Sequence, residues 1–387
     1  MAIPLKYNFR SLFVRRVSTA MTVLSIALVV AVFVGVMALA TGLEMALVTT
    51  GDPLNVLVRR RGSDSELSSF ISREAFQAMR FLPGVQMNAD GTPIASGEIV
   101  VVINLPKRGE QKGSNVTIRG VSPVGLALRP QLHIVEGRLF RPGLREVIVS
   151  RRISERFQHT GLGDRLQFGK GEWEVVGIFD AGNTAFDSEI WTDVNQLASD
   201  YHRESFSSVL LRATDEAAVK QIINRIENDR RYNLLAQPEV EYYEEQTRAA
   251  GPIKLLGMFI AIVMGIGACF AAMNTMYAAV TYRTREIATL RVLGFKRGSI
   301  LLSFLTESLL LALIGGLIGC VLVLPIHGIT TGTANWQTFS EIAFAFRITP
   351  ELLLWGMGFA ALMGLFGGIF PARQAARQSP AAALREG

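Results

Sequence analysis

Cysteine is scarce in this chain of 387 residues. Its two cysteines, Cys269 and Cys320, both lie inside long apolar stretches, where we expect them to be small packing residues. The segment from residue 44 to residue 254 contains no cysteine, which excludes a disulfide framework there. At about 210 residues, that segment is long enough to fold on a hydrophobic core of its own.

The sequence also lacks the motifs of common catalytic sites. Its four histidines are scattered and have no second ligand at metal-binding spacing: His133, His159, His202 and His327. No G-x-S-x-G nucleophile motif occurs. The run 163–171 resembles a phosphate-binding loop only in part, because one residue too many separates its glycines and Gly171 stands where Ser or Thr must hold magnesium. We therefore predict a non-catalytic chain without a metal site or a cofactor of its own.

Four long stretches are almost free of charge. They cover residues 17–43, 255–282, 298–326 and 352–372, and only the third contains an acidic residue, Glu307. A helix of roughly 20 apolar residues crosses a hydrocarbon core about 30 Å thick, so each stretch predicts a transmembrane helix. The mean hydropathy of +0.31 agrees with a membrane protein, as do the 49% hydrophobic and 19% charged residues.

The first stretch also has some features of a signal peptide. Arg15 and Arg16 precede it, and Ala38-Leu39-Ala40 resembles a cleavage site. However, the stretch is longer than the apolar region of about 7 to 15 residues that is typical of signal peptides. A membrane-spanning helix fits its length better.

Lysine and arginine flank these stretches unevenly. They concentrate in residues 1–16, 283–297 and 373–387, and short loops rich in these residues face the cytoplasm. The two termini and the connection between the second and third helices are therefore predicted to be cytoplasmic. By alternation, the segment 44–254 and a short loop at 327–351 lie outside. The net charge of +6 then reflects membrane topology and predicts no nucleic-acid partner.

Residues 1–16 have the pattern of an amphipathic helix. Leu5, Phe9, Leu12 and Phe13 share one helical face, with most of the basic residues elsewhere. We expect this helix to lie in the cytoplasmic interface and to anchor the chain on membrane lipids.

The segment 44–254 predicts a mixed α+β domain. Runs rich in β-branched residues predict strands at 55–58, 98–103, 116–118, 146–149, 173–179 and 208–211. Helical periodicity predicts helices at 73–80, 150–157 and 215–229, the last capped by Thr214 or Asp215. The predicted fold is a membrane protein with four transmembrane α-helices and a large extracytoplasmic α+β domain inserted between helices 1 and 2.

The ends of this domain suggest how it is organised. The strand at 208–212 and the helix after it form half of a split β-α-β unit, which residues 52–80 would match. The strand-rich middle, residues 91–191, is a candidate second subdomain. The polar, aromatic run 240–248 either extends the second membrane helix outward or forms an ordinary surface loop.

Two polar residues within the predicted spans are candidate functional residues, Glu307 and Asn274. An ionisable group inside a membrane is a functional-site hypothesis by default. Glu307 either pairs with Arg297 or Arg291 near the cytoplasmic end of its helix, or handles protons or substrate. The glycines at 315–319 and 364–368 predict close packing between helices.

A distinctive sequence joins the second and third predicted helices. Its notable positions are Asn274, Met276, Val280, Arg283, Arg285-Glu286-Ile287, Leu290-Arg291, Leu293-Gly294, Arg297, Ile300, Glu307 and Gly315. The C-terminal run from Pro371 to Arg385 reads P-A-x-x-A-A-x-x-x-P-x-x-A-L-R, and Asn8–Leu12 precede the first helix. This combination resembles the signature of permease subunits in the MacB/FtsX-like family of ABC transporters, the type VII or mechanotransmitting family, which includes macrolide exporters and lipoprotein-releasing permeases.

The resemblance implies a coupling helix that sits in a groove of a separate ATPase subunit, which binds the ATP and magnesium. On this chain the helix would cover about Thr284–Leu293 and end at Gly294. Ile287, Leu290 and Leu293 would dock, while charged residues of the same segment orient the helix: Arg283, Arg285, Glu286, Arg291 and Arg297. The family also implies a second permease chain, either identical or a related paralogue, in the inner membrane.

Three uses of the implied motion remain open. The first is efflux of periplasmic substrates with a periplasmic adaptor and an outer-membrane channel. The second is extraction of lipoproteins or glycolipids, and the third is signalling to a cell-wall hydrolase, with nothing transported. The size of segment 44–254 favours the first two, because signalling members of the family tend to have shorter external domains. The sequence identifies no substrate.

Overall fold

The computed structural model describes residues 16–109, 113–247, 251–334 and 340–378. The predicted amphipathic helix at 1–16 lies outside this range except for its last residue, and most of the C-terminal segment 373–387 lies outside it as well. The chain divides into two compact units. A helical unit comprises Met1–Thr41, Gly251–Ile329 and Phe346–Gly387, and a sheet unit comprises Gly42–Ala250 and Thr330–Ala345.

The described helices, in chain order, are α1 (Arg16–Val48), α2 (Arg73–Met79), α3 (Pro123–Ala127), α4 (Arg151–Arg156), α5 (Val194–Asp200), α6 (Glu216–Asn228), α7 (Glu239–Thr247), α8 (Gly251–Tyr282), α9 (Thr284–Val292), α10 (Arg297–Val323) and α11 (Pro350–Arg377). The strands are β1 (Asn55–Arg60), β2 (Ala95–Pro106), β3 (Gly113–Val121), β4 (His133–Gly137), β5 (Glu146–Ser150), β6 (Arg165–Phe168), β7 (Gly171–Asp180), β8 (Glu189–Asp193), β9 (Ser208–Arg212), β10 (Leu234–Pro238), β11 (Thr330–Ala334) and β12 (Glu341–Ala345). The described part of the chain also contains short 3₁₀ segments at Glu66–Ser68, Ala185–Ser188 and Leu324–Ile326.

Among the described residues, four helices are long and apolar enough to cross a membrane: α1, α8, α10 and α11. The sheet-rich unit follows the first of them, so the predicted fold class is confirmed. Charge-free stretches of this length are helical because only a helix satisfies its own backbone hydrogen bonds in hydrocarbon.

Glycines bring the long helices of the helical unit into close contact. A Cβ atom built on Gly319 of α10 would lie 2.6 Å from the carbonyl oxygen of Ala27 on α1. One built on Gly364 of α11 would lie 2.5 Å from the Cβ of Ala312 on α10. Neither position has room for a side chain, which confirms the predicted packing role of these glycines.

One end of the main sheet is built from two split β-α-β units. The strand order across the sheet is β10-β1-β9-β2-β3-β8-β5-β7-β4, and β6 pairs with β7. Strand β9 lies between β1 and β2, which α2 connects, and β1 lies between β9 and β10, which α6 connects. All three pairings are antiparallel. The predicted split unit is therefore present in both halves.

The strand-rich middle continues the same sheet through β2. The first residues of β2, Ala95–Glu98, pair with β9, whereas Ile99–Pro106 pair with β3. The six predicted strands fall within β1, β2, β3, β5, β7 and β9, and the three predicted helices correspond to α2, α4 and α6. Asp215 is the N-cap of α6, because its carboxylate accepts a hydrogen bond from the backbone of Ala218.

The segment 327–351 is more than the short loop that the sequence suggested. Strands β11 and β12 form an antiparallel hairpin that belongs to the sheet unit. Ile342, Ala343 and Phe344 of this hairpin are buried. The sequence did not predict this hairpin, because the apolar residues of β12 pack on a surface that lies far away in sequence.

Candidate functional site

The segment between α8 and α10, residues 283–297, is here called the connector. Its helix α9 ends in a Schellman motif, in which Phe295 N donates to Leu290 O at 3.1 Å and Gly294 N donates to Arg291 O at 3.2 Å. Gly294 has a φ of +94°, a conformation that side chains disfavour. The prediction that Gly294 ends this helix in the left-handed conformation is confirmed.

One face of α9 packs on the long helices of its own unit. Ile287 is 2% exposed and lies in an apolar cluster with Val280, Ile300, Phe304 and Ala375. This chain already covers the side chain of Ile287, so the expected docking of Ile287 on a partner stays a prediction that the exposed face does not support. Ile287 instead holds the connector against α8, α10 and α11.

The opposite face of the connector is open. Val292 is 65% exposed and Leu293 is 68% exposed, and Arg285 and Glu286 are exposed beside them, while Leu290 is half-buried. Sequence reasoning identified Leu293 but missed Val292. The connector thus presents two large apolar side chains and charges of both signs.

A buried ion pair joins the connector to α10. Arg283 Nη1 lies 3.1 Å from Glu307 Oε2, and the two side chains are only 12% and 7% exposed. Arg283 Nε also approaches Glu286 Oε2 at 3.9 Å. The sequence suggested Arg297 or Arg291 as the partner of Glu307. The structure adds Arg283, at the start of α9, as an ion-pair partner of Glu307 that the sequence did not indicate.

The other intramembrane candidate has a different environment. Asn274 is exposed on the surface of α8, whereas Glu307 is buried. The two side chains therefore do not form one site. A hydrogen bond from Thr22 Oγ1 to Thr275 Oγ1, 2.9 Å long, links α1 to α8 one residue further along.

Sequence reasoning missed a buried ionic cluster in the sheet unit, here called the Arg119 cluster: Glu66, Glu98, Arg119, Arg129 and Glu189. Arg119 contacts Glu66 at 2.9 Å, Glu98 at 2.9 Å and Glu189 at 2.7 Å. Arg129 contacts Glu98 at 2.6 Å. The partners of Arg119 lie 53, 21 and 70 residues away in sequence, so no local pattern indicates them.

Two members of the Arg119 cluster, Glu66 and Arg119, have pKa values that are shifted by their surroundings. Burial alone would raise the pKa of Glu66, but the Arg119 guanidinium outweighs it and holds the pKa below its ordinary value. Burial would likewise lower the pKa of Arg119, but Glu189 and Glu66 raise it well above the usual range. Glu66 and Arg119 are therefore held in their charged forms and bonded to each other at 2.9 Å, which fixes the segment of Glu66 against strand β3.

Within the described residues, no group of three or more His, Cys, Asp or Glu side chains is arranged to hold a metal ion. Most polar atoms of the Arg119 cluster instead bond to one another, although Arg129 Nε has no hydrogen-bond partner. Its three carboxylates and two guanidinium groups form a buried ionic core.

Two family models match this chain. The MacB-like periplasmic core domain matches residues 19–229, and the FtsX-like permease C-terminal domain matches residues 258–380. The first match includes α1 and most of the sheet unit. The second includes α8, the connector, α10 and α11.

Several curated proteins are similar in sequence. The uncharacterized ABC transporter permease YknZ of Bacillus subtilis is 28% identical over 301 residues, which cover 73% of each chain. The macrolide export ATP-binding/permease protein MacB of Bdellovibrio bacteriovorus is 26% identical, covering 98% of this chain and 61% of that protein. The pyoverdine export ATP-binding/permease protein PvdT of Pseudomonas entomophila is 25% identical, covering 98% and 59%. This chain thus spans about three fifths of the two export proteins.

The crystal structure of the extracellular domain of the transporter YknZ from Gram-positive bacteria aligns with a TM-score of 0.36 and 18% identity, covering 48% of this chain and 98% of that one. The assignment rests on the family models. The MacB-like core domain alone matches more than half of the 387 residues, and the FtsX-like domain accounts for the remaining long helices. This chain therefore belongs to the MacB/FtsX-like family of ABC transporter permeases.

Proposed function

We propose that this chain is the membrane subunit of an exporter in which a separate ATPase subunit supplies the energy. The connector carries this proposal. It is held to its own unit by Ile287 and by the pair of Arg283 with Glu307, while Val292 and Leu293 remain exposed. A helix that is fixed on one face and apolar on the other is suited to a groove in a partner.

In this proposal, the ATPase binds ATP and magnesium and grips the open face of the connector. Arg285 and Glu286, which are exposed, orient the contact, together with Arg291 and Arg297. Movement of the gripped helix passes directly to α8 and α10, because the connector is continuous with both and is anchored on them. A second permease chain completes the assembly, and a periplasmic adaptor and an outer-membrane channel act in series with it.

The charge pattern supports an orientation with both termini and the connector in the cytoplasm and the sheet unit in the periplasm, in an inner membrane. A cysteine in place of exposed Asp90, in a chain with Cys269 and Cys320 changed to alanine, should react with an impermeant maleimide in intact spheroplasts. Protection there, with labelling only after lysis, would reverse the orientation.

The proposed cargo is a periplasmic small molecule. Two relatives are named as macrolide export and pyoverdine export proteins, which supports export over signalling. The sheet unit, Gly42–Ala250 with Thr330–Ala345, is also large, whereas signalling members of the family tend to have shorter external domains. Extraction of lipoproteins or glycolipids is the alternative transport task.

The test of coupling is a charge placed on the open face. We expect Leu293→Glu to abolish co-purification of the ATPase and its stimulated ATP hydrolysis, because burying a carboxylate in an apolar contact is unfavourable. Leu144→Glu, at a similarly exposed apolar position in the sheet unit (46%, against 68% for Leu293), is the matched control and should leave both unchanged. Normal ATPase binding by Leu293→Glu would contradict the docking proposal.

A further inference from the structure

Three parts of the sheet unit lie next to long helices in sequence. They are the end of α1 with Thr50, the helix α7 that precedes α8, and the hairpin β11–β12 between α10 and α11. All three contact one short segment within the sheet unit, residues 184–189, here called the junction segment. It consists of the 3₁₀ turn Ala185–Ser188 and the residues on either side of it.

The first contact comes from the end of α1. Ala185 N donates a hydrogen bond of 2.8 Å to Thr50 Oγ1. The same hydroxyl donates to Ala46 O at 2.6 Å, which ties the junction segment to the last helical turn. Thr50 is 1% exposed, so water does not compete for this bond.

The second contact comes from α7. The ring of Phe186 meets the ring of Tyr243 edge to face, with 6.0 Å between centroids. Phe186 is fully buried and Tyr243 is 3% exposed. Such an aromatic pair contributes about 0.5–1.5 kcal/mol beyond its buried area and also fixes the relative orientation of the two rings.

The third contact comes from the hairpin. Ala343 N donates to Ser188 Oγ at 2.7 Å, and Ala343 O accepts from Arg152 Nη1 at 2.9 Å. Glu341 of the same strand pairs with Lys107 Nζ at 2.8 Å and with Arg156. The hairpin is therefore held by backbone hydrogen bonds and by charge.

The junction segment is itself fixed to the sheet. Asp187 accepts hydrogen bonds from Ala181 N at 2.7 Å and Asn183 N at 2.8 Å. The guanidinium carbon of Arg129 lies 5.0 Å from the Phe186 ring centroid. Glu189, the last residue of the junction segment, is also the first residue of β8, and its carboxylate pairs with Arg119.

A small cleft with a volume of about 40 Å³ adjoins the same place. It is lined by residues of all the parts involved except α1, including Ser188 of the junction segment, Tyr243 of α7, Glu341 of the hairpin and Arg119. The hydroxyl of Tyr243 is buried at this point and has no hydrogen-bond partner. An unused buried hydroxyl beside a cleft is unusual in a packed core.

We propose that the junction segment combines the movements delivered through α1, α7 and the hairpin and passes them to the central strand β8. Phe186 and Ser188 are its positioning residues. This inference rests on the proposed function, since it specifies where force enters the sheet unit. In this proposal, movement reaches the sheet unit through the hairpin as well as through α1, which precedes its main segment in sequence, and α7, which ends it.

The test uses the full-length chain bound to its ATPase in lipid nanodiscs. Hydrogen exchange of peptides from β8 and the junction segment is compared with and without ATP plus vanadate, which traps the ATPase. In the wild-type protein we expect exchange there to change on trapping. In Ser188→Ala and in Phe186→Leu we expect that change to be lost while ATP hydrolysis continues.

Thr160→Val is the matched control. Thr160 is a fully buried hydroxyl of the same unit that bonds to Ile153 O and Phe157 O rather than to the junction segment. The Thr160→Val variant should lower the thermal midpoint about as much as Ser188→Ala does. Its hydrogen exchange in β8 and the junction segment should still change on trapping. Loss of the response in Thr160→Val as well would attribute the effect to general destabilisation and overturn the proposal.

Two outcomes separate this inference from the proposed function. If exchange in the wild-type sheet unit does not respond to trapping at all, the proposed function is contradicted and the junction segment with it. If the wild-type chain responds and both variants respond equally, force enters the sheet elsewhere, and only the present inference is wrong.

Discussion

Removing Arg283 should destabilise the helical unit severely. Its guanidinium lies 3.1 Å from Glu307, and the two side chains are 12% and 7% exposed. At an effective dielectric constant of about 20, the attraction at this distance is roughly 5 kcal/mol. Much of it offsets the cost of burying both charges. In Arg283→Met the carboxylate loses this compensation, and such a loss costs about 3–5 kcal/mol.

A double-mutant cycle isolates the pair. The free energy of unfolding of each variant is measured in mixed micelles titrated with denaturing detergent. Arg283→Met with Glu307→Leu should recover most of the stability, because no unpaired charge is left. Since the pair also positions the connector, Arg283→Met should lose stimulated ATP hydrolysis by the partner.

Glu286→Gln is the control for this cycle. Glu286 is 57% exposed and lies 3.9 Å from the same arginine, so its loss should cost only about 0–1 kcal/mol. The reasoning is refuted if Arg283→Met lowers the free energy of unfolding no more than Glu286→Gln does. It is also refuted if the effects of Arg283→Met and Glu307→Leu on that free energy simply add.

Other positions give simpler expectations. Gly364→Ala should cost about 1–3 kcal/mol in the same unfolding assay, because its Cβ would meet Ala312, whereas Gly358→Ala, with nothing within 4 Å, should be close to neutral. Gly294→Ala should cost about 1–2 kcal/mol for its φ of +94°. The depressed pKa of Glu66 means that its stabilising contribution is fully present above its ordinary value of 4.5 and is lost as pH falls through the lower folded-state pKa. Thermal midpoints of the sheet unit that stay flat below pH 4.5 would contradict this.

The long helices were predictable because a membrane imposes a strong and local requirement on sequence. The strands of the sheet unit were also predictable where a run of β-branched residues is bounded on both sides by Gly, Pro, Asn or Asp. Gly294 was predictable as a helix end because few other residues adopt its conformation. In each case the controlling interaction lies within a few residues of the chain.

The orientation of the connector could not be predicted from its sequence. Ile287 and Leu293 are both apolar and both lie on or next to a short helix, yet one is buried by its own chain and the other is exposed. Periodicity shows which residues share a face, but it does not identify the surface that covers the face. The partner of Glu307 was missed for the same reason, since Arg283 reaches it across 24 residues of sequence.

The Arg119 cluster and the hairpin illustrate a second limit. Charged residues in strands usually face water, so Glu98, Arg119 and Glu189 read as surface positions. Their burial depends on strand neighbours that are brought together by the sheet order. The hairpin depends on residues such as Lys107 and Arg156, about 200 residues away, which only the folded domain presents.

The hairpin also determines how the sheet unit can be studied in isolation. A soluble fragment cut as one continuous piece, residues 42–250, would leave Thr330–Ala345 behind. Lys107 and Arg156 would then lose Glu341, the carboxylate with which both pair. The surface of the sheet unit that covers Phe344, a residue only 1% exposed, would become exposed to solvent. A fragment in which the hairpin is rejoined through a flexible linker is the one that should fold as it does in the whole protein.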